Sequence, residues 1–337
     1  MSFLKRLVGR SSGTGNDATS STPPAPAEPP HSLRQHFAVS ERTEGDSNEF
    51  TVYSVAPMEF GGAGDTGDYD PHTAAIKELS PAQAATKAVL YVLPGGFVNP
   101  IKQRNWDFVA QLADAGVRVD IPLYGILPEH DHTEALPLIR RCYELLVAEH
   151  GAENITIIGD SAGGGLALAA LSAPVGTPTS APTSNEFSPE TTAPNTTTPK
   201  TTAPARLILN APWLDMDLAN PRIPDFEAKD PILNPVQLRR QGALWAGDIP
   251  TEDPRVSPLH LSADQLQAAF GNSAITVYCG DRDISLPDAE EWASTVKKQG
   301  LNVTLNVARG EQHMYHLGNT RAGKAARREQ IALASHI

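Results

Sequence analysis

The stretch Ile155-Thr156-Ile157-Ile158-Gly159-Asp160-Ser161-Ala162-Gly163-Gly164-Gly165-Leu166-Ala167-Leu168-Ala169-Ala170-Leu171 decides how this chain folds. Its first four residues are a short apolar run that reads as a buried strand. The small, Ala/Leu-rich run from Gly163 to Leu171 reads as a helix. Between them lies Gly159-x-Ser161-x-Gly163. A strand, a sharp turn and a helix form the setting in which a serine is lifted off a sheet end. Glycines flank the serine because the turn presses backbone against backbone, where side chains would clash. The helix N-terminus then points its amides at whatever negative charge builds beside Ser161. The flanking elements favour this reading over a glycine-rich turn with no other task.

Outward from this point, strand-like and helix-like runs alternate. Glu49 to Val55, Ala88 to Leu93, Val117 to Ile121, Leu207 to Leu209, Ile275 to Tyr278 and Val303 to Val307 read as strands. Asn105 to Ala115 has helical spacing and Gly116 as a stop. Glu134 to His150 reads as an amphipathic helix closed by Gly151, and helices follow at about 284–299 and 319–335. The alternation predicts an α/β fold: a mostly parallel central sheet flanked by helices. Such sheets hold their sites at the carboxyl ends of the strands.

Two stretches do not fit the alternation. Residues 11–30 are mostly Ser, Gly, Thr, Ala and Pro, and Ala173 to Ala205 is a Thr/Ser/Ala background with seven spaced prolines. Neither has much apolar surface to bury, so ordering would cost entropy without return. The expected organisation is a disordered tail over 1–36 and a single domain over 37–337, interrupted by a disordered insert at 173–205. The net charge of −12 argues against nucleic-acid binding, which needs a basic surface. Two cysteines, Cys142 and Cys279, cannot make a disulfide framework. No run approaches the roughly 18 apolar residues of a spanning helix, and the apolar stretches within Met1 to Arg10 are too short for a secretory h-region. A soluble, cytoplasmic protein without stable membrane insertion is expected.

A serine hydroxyl needs a base, and the base an orienting acid. With a strand–turn–helix nucleophile the chain order is Ser, then Asp or Glu, then His. After Ser161 the histidines are His260, His313, His316 and His336. His313 follows the last strand, in Gly310-Glu311-Gln312-His313-Met314-Tyr315, and is the preferred base. His316 reads as a structural neighbour. Asp281 and Asp283 both leave the strand Ile275 to Tyr278. Asp283 is preferred, because Asp281 suits the turn after Gly280. Asp288 reads as a solvated helix residue. Gly95 and Gly96 end an early strand, and their amides, with that of Ala162 opposite, are the candidate oxyanion hole.

Taken together, these residues resemble the hormone-sensitive-lipase-like branch of the α/β-hydrolases. The branch's Gly-Asp-Ser-Ala-Gly-Gly is matched in full at Gly159 to Gly164. Its Tyr-x-Leu-Ala-Pro-Glu segment is echoed at Tyr124 to Glu129, its Ser-Pro-Trp-x-Asp segment at Ala211 to Asp215, and its segment before the acid at Pro254 to Leu259. The resemblance covers roughly 85–337 outside the insert. It implies an α/β-hydrolase fold with a small helical cap, here about 216–250, and places acid and base at Asp283 and His313. One departure stands out: the family's His-Gly-Gly-Gly is Leu93-Pro94-Gly95-Gly96 here. The donating glycines are kept, the histidine that helps hold the loop is lost, and Pro94 fixes its own φ instead.

The resemblance implies a serine carboxylesterase acting on small or medium acyl esters. Phe97, Asp160 and Trp213 are expected to touch substrate. No cofactor or metal is expected. The segment Glu129-His130-Asp131-His132 lacks helix-spaced metal-ligand histidines and reads as a solvated polar loop. The expected partner is a small-molecule ester, and a homodimer is compatible with this reading. Two alternatives stay open: an amidase, lactonase or formamidase with the same residues, and a non-catalytic binding protein on the same scaffold.

Overall fold

The computed structural model describes residues 28–45, 49–58, 85–172 and 203–336. The tail through residue 27 and most of the Thr/Pro-rich insert, 173–202, lie outside the described residues.

Eight strands form one sheet: β1 (Phe37–Glu44), β2 (Phe50–Pro57), β3 (Ala88–Val92), β4 (Arg118–Pro122), β5 (Ile155–Asp160), β6 (Arg206–Asn210), β7 (Ala274–Gly280) and β8 (Asn302–Ala308). The order across it is β1-β2-β4-β3-β5-β6-β7-β8. The strands from β4 to β8 run parallel, while β2 pairs antiparallel with both β1 and β4. Every residue of β3, β4 and β5 is buried. That explains why β3 and the start of β5 read as continuous apolar runs: both faces of a parallel sheet are covered. β4 carries Arg118 and Asp120, which are buried as an ion pair. Each fully buried Val, Leu or Ile side chain contributes roughly 1.5–3 kcal/mol, so the centre of the sheet is a large share of the hydrophobic driving force. The fold class is the α/β class expected from the sequence.

Around the sheet lie α1 (His31–His36), α2 (Gln103–Asp114), α3 (His132–His150), α4 (Ala162–Ser172), α5 (Ile223–Glu227), α6 (Pro235–Ala246), α7 (Ala263–Phe270), α8 (Leu286–Lys298) and α9 (Arg321–Ser335). α4 is buried along its whole length, and only its small residues let it lie so close to the sheet. α5 and α6 fall within the segment expected to form a cap.

Several boundaries differ from the sequence reading. α1 lies inside the expected tail, because Leu33 reaches the core and buries. At the far end of the insert, residues 204 and 205 are tied in. Ala205 N–H donates to Ala152 O at 3.0 Å, and Ser273 Oγ donates to Pro204 O at 2.6 Å. β1 was not legible because its residues are only half-buried along a sheet edge. α7 carried a local signal, the Ser262-x-x-Gln265 capping box, and both of its hydrogen bonds form.

The segment 129–132 is not simply a solvated loop. Asp131 caps α3 by accepting from Thr133 N at 2.9 Å. His132 is buried and donates from Nδ1 to Trp245 O at 2.9 Å, joining the start of α3 to the end of α6. Among the described residues no group of three or more His, Cys, Asp or Glu side chains is placed to hold a metal ion.

The parallel register brings five strand ends to one edge. Val92 pairs with Gly159, Asp160 with Asn210, Asn210 with Tyr278, and Gly280 with Ala308. The loops leaving β3, β5, β6, β7 and β8 therefore start side by side.

Candidate active site

Ser161 sits one residue past β5 with φ 54°, in the left-handed region a non-glycine residue rarely adopts. Backbone hydrogen bonds hold it there. Its N–H donates to Asn210 O at 2.8 Å, and its carbonyl accepts from Gly164 N at 2.9 Å and Trp213 N at 3.0 Å. The strained residue is thus fixed by β6, by the loop beyond it and by the first turn of α4.

The loops after β7 and β8 bring the other two expected residues to it. Ser161 Oγ lies 2.9 Å from His313 Nε2, and His313 Nδ1 lies 3.0 Å from Asp283 Oδ2. Asp283 is fully buried, and its second oxygen accepts from Ser285 N at 2.9 Å and Ser285 Oγ at 2.7 Å. That leaves Oδ2 for the histidine. Asp281 instead accepts from Gly310 N at 2.7 Å, tying the β7 loop to the β8 loop.

Burial alone would push the His313 imidazole pKa down. The charge of Asp283 and its hydrogen bond, joined by the charges of Asp230 and Asp160, outweigh this and raise it. Asp230 was not singled out from the sequence. It comes from the cap segment, where its Oδ1 accepts from Ile232 N and Leu233 N. Its Oδ2 reaches Ile284 N, the residue after Asp283, at 3.1 Å. One carboxylate thus pins the cap to the acid loop and adds negative charge near the imidazole.

A base at the position expected for His313 must be neutral to accept a proton, so the raised pKa predicts an activity that rises with pH through it. We expect the acid limb of kcat/KM to have its midpoint above the ordinary imidazole value of about 6.5. Asp230→Asn keeps an oxygen acceptor but removes one charge, so the midpoint should fall. A pH profile on p-nitrophenyl acetate checks this, and an unmoved or higher midpoint in the variant would contradict it.

The loop after β3 has Gly95, Gly96 and Phe97 at φ 135°, 60° and 61° in succession. This run needs glycine at its first two positions and turns the backbone out of the sheet. The loop is held from the β4 side. Tyr124 Oη donates to Leu93 O at 2.6 Å, Leu127 N donates to Phe97 O at 2.8 Å, and Asn99 Nδ2 caps Gly95 O at 3.0 Å. Among the described residues, no protein acceptor takes the Gly95 or Gly96 amide. The Gln241 side chain of α6 lies over Gly96.

Trp213 lines the cavity beside Ser161 together with Leu218, Leu233, Leu238 and Ile284. Phe97 and Asp160 are placed differently from the expectation. Phe97 is buried beneath the cap, stacked on Trp245 with ring centroids 3.9 Å apart and planes 5° from parallel. It anchors α6 to the loop of Gly95 and Gly96 rather than facing a ligand. Asp160 is also fully buried. It accepts from Tyr91 Oη at 2.6 Å and Asn210 Nδ2 at 2.8 Å, and its Oδ2 is 3.2 Å from His316 Nε2. Burial would raise its pKa, but the nearby His316 and these hydrogen bonds bring it below the usual carboxylate value. Asp160 therefore fixes the end of β5 from within the core.

Asp288 departs most from expectation. It is only 1% exposed and lines the same cavity, because the cap segment and the loop of Asp215 close over this turn of α8. Burial, reinforced by the charge of Asp215 and opposed by a hydrogen bond from the Asn220 side chain, pushes its carboxyl up to about 7.

A family model described as alpha/beta hydrolase fold matches residues 89–317. A triacylglycerol lipase of Mycobacterium tuberculosis (strain ATCC 25618 / H37Rv) is 24% identical over 240 residues, covering 71% of this chain and 44% of the lipase. The chain thus spans less than half the length of that relative. An acetyl-hydrolase of Streptomyces hygroscopicus is 24% identical over 243 residues, 71% of each chain. The crystal structure of an esterase from the bacterial hormone-sensitive lipase (HSL) family superposes with a TM-score of 0.65 at 21% identity, covering 90% of this chain and 85% of that one.

Proposed function

The chain belongs to the alpha/beta hydrolase fold family, and from that premise we propose that it is a serine carboxylesterase of the hormone-sensitive-lipase-like branch, acting on short acyl esters. The observation that carries this reading is the unbroken line from Ser161 Oγ through the His313 ring to Asp283, at 2.9 and 3.0 Å, beside an apolar cavity. Ser161 Oγ attacks the ester carbonyl carbon while His313 Nε2 takes its proton. The imidazolium formed is stabilised by Asp283 through Nδ1–H. The developing oxyanion accepts from the amides of Gly95, Gly96 and Ala162, the last at the N-terminus of α4. Collapse of the tetrahedral intermediate breaks the ester C–O bond, and Nε2–H protonates the departing alkoxide. Water, deprotonated by the same nitrogen, then cleaves the acyl-enzyme and regenerates Ser161.

A short acyl group is favoured because the bulky side chains of Trp213, Leu233 and Leu238 line the cavity beside the nucleophile. The expected partner is therefore a small-molecule ester. Cys142 and Cys279 are both buried and unpaired, which suits a reducing compartment such as the cytoplasm. Among the described residues no helix is long and apolar enough to cross a membrane.

A fluorophosphonate probe should label Ser161, and kcat/KM should fall along the series p-nitrophenyl acetate, butyrate, octanoate. Absence of label on folded protein would overturn the esterase reading. Faster turnover of aryl amides than of the matching esters would replace it by an amidase.

A further inference from the structure

The cavity beside Ser161 has one polar group whose hydrogen bonding is incomplete. Its walls are mostly apolar, but Asp288 lines it, is 1% exposed, and has an Oδ1 with no hydrogen-bond partner among the described residues. A buried acceptor without a donor costs free energy, so its presence calls for a partner.

The other polar groups around the cavity are already engaged. Ser285 Oγ donates to Asp283, and both His313 nitrogens are committed to Asp283 and Ser161. Trp213 Nε1 donates to Asp215 O at 2.7 Å. The Asp215 carboxylate is occupied by the amides of Asp217 and Ala219. The Asn220 side chain approaches the Asp288 carboxyl as a hydrogen-bond donor and also donates to Glu291 Oε2 at 3.0 Å, yet Oδ1 is left without a partner. A donor on a molecule filling the cavity would complete it.

We propose that Asp288 is a specificity-determining residue, accepting a hydrogen bond from a hydroxyl or ammonium group on the ester held beside Ser161. The preferred substrates are then short esters bearing a hydrogen-bond donor rather than plain alkyl esters. This rests on the esterase reading of Ser161. The carboxyl keeps a lone pair on each oxygen whether neutral or ionised, so a hydroxyl is accepted in both states. An ammonium group favours the ionised form. A methyl group in the same place leaves Oδ1 unsatisfied, at the cost of a buried acceptor.

The test uses isosteric esters and follows acid release by pH-stat. Ethyl propionate, ethyl glycolate and glycine ethyl ester differ on the acyl side only in a terminal methyl, hydroxyl or ammonium. Propyl acetate and 2-hydroxyethyl acetate make the same comparison on the alcohol side. Each kcat/KM is divided by the ester's hydroxide-catalysed rate, which removes intrinsic reactivity.

The donor-bearing member of one set should be preferred roughly tenfold or more. Asp288→Leu should erase that ratio. Asp288→Asn, which keeps an oxygen acceptor, should retain the hydroxyl preference and lose the ammonium one. Equal use of all members by the wild-type enzyme, or an unchanged ratio in Asp288→Leu, overturns the assignment. If Asp288→Leu does not fold, the normalised wild-type ratios still decide. Hydrolysis of ethyl propionate without preference defeats only the role of Asp288. Failure on every ester, with no phosphonate label, defeats the esterase reading itself.

Discussion

Ser161→Ala should lower kcat/KM for p-nitrophenyl acetate by at least about 10⁴-fold while leaving the melting temperature within about 3 °C of wild type. The activity loss follows from geometry: Oγ is the one atom of this residue 2.9 Å from His313 Nε2. Stability should be nearly unchanged because alanine keeps the Cβ and the backbone hydrogen bonds to Asn210, Gly164 and Trp213. The left-handed φ is equally strained for either residue. His313→Ala should cost a similar factor, and the double variant little more than either single one, since the groups act as a unit. Activity in Ser161→Ala above about 1% of wild type would show that another group does the chemistry.

Gly163→Ala should have the largest effect on stability. An added Cβ would lie 2.2 Å from Val92 O and 2.4 Å from Leu93 O. Both are backbone carbonyls at the buried end of β3, so no flexible side chain can swing aside. Relief requires shifting α4 away from the sheet or pushing the end of β3. Overpacking of this kind costs about 3 kcal/mol or more, on the order of 10 °C in melting temperature. The damage should also reach function. Leu93 leads directly into Gly95 and Gly96, so any protein that still folds should have displaced amides and a reduced kcat. Thermal melts and the p-nitrophenyl acetate assay check both halves. A Gly163→Ala protein that melts like wild type would mean that α4 does not lie against β3 as described.

Much of the site was legible because its signals are local. Ser161 announced itself through flanking glycines, a preceding apolar run and a following small-residue run. His313 and Asp283 could be picked because few histidines follow Ser161 and because strand ends are where such groups gather. Residues whose role depends on burial were harder to read. Asp288 has the sequence setting of any charged residue in the first turn of a helix, and only the closing of the cap and of the Asp215 loop buries it. Asp230 sits in a polar loop and gains its role by meeting Ile284 across 54 residues. Phe97, next to the site in sequence, was drawn away by Trp245 of α6. Asp160 and His316 meet across 156 positions, which no spacing rule anticipates.

The sequence by itself determined the α/β alternation, the strained serine between β5 and α4, and the two glycines after β3. These follow from backbone sterics and hydrophobic periodicity, which act over a few residues. The tertiary structure alone decided which carboxylates are buried, which of them face His313, and which polar atom in the cavity is left without a partner. Charge and hydrogen bonding depend on distance in space. The parallel register of β3, β5, β7 and β8 is what makes residues far apart in the chain neighbours at one sheet edge.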